Sequence, residues 1–82
     1  MDELKFLQWL TKKKKIGERS AKDVLCRLNR TKKFLQTDEI EINSLNQLYS
    51  INEFLECSTS VKSQLRRAVR LYIEFSNGSE KN

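Results

Sequence analysis

Proline does not occur in these 82 residues, and glycine occurs only at Gly17 and Gly78. That scarcity is the strongest constraint on the fold. Sheet-rich chains of this length need frequent turn residues, because tight reversals demand a preset or left-handed backbone. The chain is therefore expected to be all-α. It is a single domain by length. A domain this small buries only about 60% of its unfolded surface, so most of its apolar residues have to join the core.

Four helices are expected. The first spans 2–14: Asp2 can cap it, Glu3 suits the positive end of its dipole, and Phe6, Leu7, Trp9 and Leu10 form its apolar surface. Gly17 after "KKKKI" is expected to terminate it in a left-handed conformation. The second spans 20–36, opened by Ser20 with Asp23 in a capping-box arrangement. Its inner side is Ala21, Val24, Leu25, Leu28, Thr31 and Leu35, at helical spacing. "TDEIEIN" reads as a loop, since Ile40 and Ile42 alone cannot build a sheet. The third helix spans 44–57, opened by Ser44 with Gln47, with a break at Ser50 open as an alternative. Leu45, Leu48, Tyr49, Ile51, Phe54 and Leu55 surround its axis, which predicts the most buried helix. The fourth spans 60–76, starts at one of the hydroxyls of "CSTS", and turns Val61, Leu65, Ala68, Val69, Tyr72 and Phe75 inward. Asn77-Gly78 should stop it, leaving 77–82 as a disordered tail.

Charge is sorted along the chain. Lys12 to Lys33 holds ten basic and two acidic residues; Phe34 to Ser60 holds five acidic and no basic ones; Val61 to Phe75 holds four basic and one acidic. The outer side of the second helix carries Lys22, Cys26, Asn29, Arg30 and Lys33. Lys62, Arg66 and Arg70 follow one another at four-residue steps on the fourth helix, with Arg67 beside them. Solvated faces are the ordinary fate of such residues. Two features argue for more. Arginine pairs with phosphate through a planar fork where lysine offers a point charge. A helix charged only for solubility usually mixes signs, whereas here the acids are segregated to mid-chain. If the two helices lie side by side, their basic rows merge into one surface suited to a polyphosphate.

Enzyme chemistry finds little footing. The sequence has no histidine and no glycine-rich phosphate loop. Asp38, Glu39 and Glu41 share one solvated loop rather than the contrasting environments that acid/base pairs need. Cys26 and Cys57 lack metal-ligand spacing, so no metal or cofactor is expected. One pair of cysteines does not make a secreted disulfide framework, which points to reduced thiols and a cytoplasmic protein. No signal peptide or membrane span is evident. Trp9, Tyr72 and Phe75 are read as core residues rather than base-stacking platforms.

"FLQWL", "SAKDVLCRLNRTKKFL" and "VKSQLRRAVRLYIEF" together resemble the N-terminal core-binding domain of tyrosine recombinases, the phage-integrase type. The resemblance spans Leu4 to Phe75. It implies a compact four-helix orthogonal bundle of the SAM-like kind that packs on double-stranded DNA. It also implies DNA-facing positions at Ser20, Lys22, Asn29, Arg30 and Lys33, then Lys62, Arg66 and Arg70. Val24 stands where many members have an aromatic residue. The family's catalytic tyrosine domain has no counterpart in these residues, so the chain is expected to bind DNA without cutting it, as a monomer when isolated, with a downstream catalytic domain or a protein as further partner. The alternative is a helical protein–protein interaction module without nucleic-acid contact. A helix-turn-helix regulator fits less well, because "KFLQTDEIEINSL" is too long and acidic a connection. A membrane-surface role would take Tyr72 and Phe75 out of the core.

Overall fold

The computed structural model describes residues 3–78, and they form five helices with no strand among them: α1 (Glu3–Lys12), α2 (Glu18–Leu35), α3 (Ser44–Leu48), α4 (Asn52–Leu55) and α5 (Thr59–Gly78). The all-α expectation holds. Asp2 and the tail beyond Gly78 lie outside the described residues, while Asn77 and Gly78, expected to end the last helix, are its final two residues.

The two long helices form as their stripes dictate. In α2, Ala21, Val24, Leu28 and Thr31 are buried, a run of three- and four-residue steps along one side. In α5, Leu65, Ala68, Val69 and Leu71 are buried, with Val61, Tyr72, Ile73 and Phe75 packed at the margin. α2 makes its most extensive packing against α5 and also touches α1 and α3. Thr31 is fully buried without penalty because its hydroxyl donates to the Arg27 carbonyl at 2.9 Å.

α1 closes the core with aromatics. Phe6 and Leu10 are fully buried. The Phe6 ring lies 5.3 Å from Tyr72 and 5.4 Å from Phe75, and Trp9 meets Phe75 edge-on at 5.6 Å. Separations of this size and the tilted geometry suit the ring quadrupoles. The expected core roles of Trp9, Tyr72 and Phe75 are what is observed.

The helix ends differ from expectation. Gly17 is not left-handed; it precedes α2 at φ −60°, and Lys15 takes the positive φ of 54° instead. The reversal after α1 is held by the Ile16 N–H donating to the Leu10 carbonyl at 3.0 Å. α2 begins at Glu18, so Ser20 lies in its first turn and caps nothing. At its other end Gln36 is left-handed (φ 55°), and the N–H groups of Gln36 and Thr37 reach the carbonyls of Lys33 and Lys32. That is the Schellman pattern, in a residue that lacks glycine's freedom. Ser58 is the hydroxyl that opens α5, accepting from the Val61 N–H at 3.2 Å.

The region 44–57 takes the alternative of a break at Ser50: it is two short helices interrupted at residues 49–51. Its burial departs from expectation, since far from being the most buried segment it leaves Tyr49 47% and Leu55 44% exposed. Leu48 and Phe54 alone are fully buried there among its apolar residues. One continuous helix would spread its six apolar residues around the axis, and a single neighbouring surface cannot cover them all. The break lets Leu48 and Phe54 both turn inward. In the preceding loop the two isoleucines separate, with Ile40 plugged into the core and Ile42 69% exposed.

Candidate nucleic-acid interface

The basic row of α5 starts with the half-buried Lys62, continues through the half-buried Arg66 and ends at the exposed Arg70; Arg67 is exposed beside it. On α2, Ser20, Lys22, Arg30 and Lys33 are exposed and Asn29 is half-buried. All nine expected positions therefore lie outside the core.

Their immediate surroundings differ. Lys22 lines a shallow groove of about 220 Å³ between α1 and α2, with Leu4, Leu7, Gln8, Thr11, Glu18 and Ala21. The Arg30 guanidinium lies 5.7 Å from the centre of the Phe34 ring, one turn on, a cation–π arrangement that leaves its charge available. Arg66 is the most constrained cation of the two rows. Its Nη1 donates to the Tyr49 hydroxyl at 2.9 Å, and its Nη2 donates to the Ser63 hydroxyl at 3.2 Å. Tyr49 caps the C-terminal end of α3, so this contact joins α3 to α5. The structure thus brings the two helices together while giving their rows different neighbours: α1 beside Lys22, the end of α3 beside Arg66.

Electrostatically, the cations stay open. None of Lys22, Arg30, Lys33, Lys62, Arg66, Arg67 and Arg70 lies within ion-pair distance of a carboxylate among the described residues. Lys14, outside these rows, does pair: its Nζ lies 2.8 Å from Glu74 Oε1, joining the segment between α1 and α2 to α5. Asp38, Glu39 and Glu41 remain exposed in their loop.

Tyr49 and Ser63 escaped the sequence reading. Tyr49 reads as a core residue by spacing, and only the break after it turns the ring outward. Ser63 reads as an ordinary helix-surface serine. Neither carries a local signal for its contact with Arg66, which spans 17 positions in the case of Tyr49.

Cys26 is exposed, and Cys57 donates its thiol to the Glu53 carbonyl at 3.3 Å; both are free thiols. Among the described residues no group of three or more His, Cys, Asp or Glu is placed to hold a metal ion. No helix among them is long and apolar enough to cross a membrane. No family model, curated protein or solved structure matches this chain.

Proposed function

We propose that this chain is a non-catalytic module that grips duplex DNA through the basic faces of α2 and α5, in the manner of a recombinase core-binding domain. In this reading α3 and α4 together take the place of the third helix of a SAM-like four-helix bundle. The observation that carries it is that Lys22, Arg30 and Lys33 on α2 and Lys62, Arg66, Arg67 and Arg70 on α5, the cations of the two expected rows, have no carboxylate partner among the described residues. Acidic side chains are plentiful in the chain, yet they leave these rows unneutralised. A phosphate backbone supplies the missing anions, and three arginines on α5 offer it forked hydrogen bonds.

A titration of the protein against fluorescent duplex DNA tests the reading. If about 4–6 phosphates are engaged, log K falls with log salt at a slope of about −4 to −5. Non-specific affinity for an isolated module of this kind is on the order of 10⁻⁴ to 10⁻⁶ M. Absence of binding at low salt, or binding indifferent to salt, rejects it.

A protein-interaction module is the second reading, favoured by the exposure of Leu4 at 65% and Ile42 at 69%. Leu4 borders the α1–α2 groove, and Ile42 sits in the acidic loop. Concentration-dependent self-association in sedimentation, unaffected by DNA, selects this reading over the first.

A further inference from the structure

Building on the DNA-binding reading, we infer that Arg66, Tyr49 and Ser63 form a seat for one backbone phosphodiester, in which Tyr49 is the positioning residue. An arginine side chain has rotamer entropy to lose when it docks on an anion. Here much of that freedom is already gone, because both terminal nitrogens of Arg66 are held, one at 2.9 Å by Tyr49 and one at 3.2 Å by Ser63. Both partners are neutral hydroxyls, so the guanidinium is aimed without being neutralised. Two of its five N–H donors are used, and three remain for an anion. The Tyr49 hydroxyl accepts from Arg66, and so holds the direction in which the guanidinium points.

The hydroxyl is also held on a firm support. The Tyr49 ring stands edge-on to the fully buried Phe54, with centroids 5.9 Å apart and planes at 87°. Lys62 lies one turn before Arg66 and Arg70 one turn after it, so the seat sits inside a positive strip. A contact that served only to tie α3 to α5 would not need a charged donor.

The experiment uses the full chain and a short fluorescein-labelled duplex of mixed sequence, with anisotropy titrations over a range of salt. The variants are Tyr49→Phe, Arg66→Ala and the double variant, each checked by circular dichroism to be folded at the assay temperature. Tyr49→Phe is expected to weaken binding about three- to tenfold with the salt slope unchanged, as loss of one neutral hydrogen-bonding group implies. Arg66→Ala should flatten the slope by about one unit. Adding Tyr49→Phe to Arg66→Ala should bring much less than its separate effect, because the tyrosine then has nothing to aim. Wild-type affinity in Tyr49→Phe, with only its melting temperature lowered, overturns the seat in favour of a structural tie. Full additivity in the double variant overturns it as well. In both cases the DNA-binding reading stands, whereas a wild-type chain that fails to bind the duplex removes both.

Discussion

Glu41 and Ser44 hold each other across the turn that enters α3. The Ser44 N–H donates to the Glu41 carbonyl at 2.9 Å, and the Glu41 N–H donates to the Ser44 hydroxyl at 2.8 Å. Ser44 is 2% exposed, so the serine side of this pair is sheltered from water. The hydroxyl therefore faces back toward the loop rather than capping the helix it begins, and no side chain caps α3. The pair fixes the chain direction one residue after Ile40 enters the core.

Ser44→Ala should destabilise the fold by about 0.5–1.5 kcal/mol, because it removes a part-buried hydrogen bond from the turn into α3. Urea denaturation measures it. Ser60→Ala, at an exposed position in the first turn of α5, is the matched control and should change stability by less than about 0.5 kcal/mol.

Phe54→Ala should cost about 3–5 kcal/mol. α4 has only four residues, too few to be stable on their own, so its place depends on the burial of this ring. The same substitution removes the surface on which Tyr49 leans. Thermal unfolding followed by circular dichroism reads the loss.

Gln36→Gly should stabilise the protein by roughly 0.5–1 kcal/mol. Gln36 pays the steric cost of a left-handed backbone at the end of α2, and glycine does not. A rise in the urea midpoint at constant m-value is the expected result; a fall shows that the glutamine side chain contributes more than the backbone strain removes.

Arg30→Glu and Arg70→Glu place one reversed charge on each basic helix. Both side chains are exposed, so the fold should persist with little change in melting temperature. Each should weaken binding to duplex DNA and reduce the magnitude of the salt slope by about one unit or more. If only one of them does so, only the helix that carries it faces the DNA.

The helical class, the inward stripes of α2 and α5, and the outward placement of their cations were readable in the sequence, because each depends on spacing within one helix. Ala21, Val24, Leu28 and Thr31 on α2 and Leu65, Ala68 and Val69 on α5 declare themselves by period alone. The tertiary structure decided the rest. It chose Ile40 over Ile42 for the core, although the two have near-identical neighbours in sequence. It split 44–57 so that Leu48 and Phe54 could both turn inward, and in doing so set Tyr49 on Arg66. Periodicity records which side of a helix is apolar. Which distant surface that side meets, and which hydroxyl finds a guanidinium 17 positions away, is settled by how the helices pack.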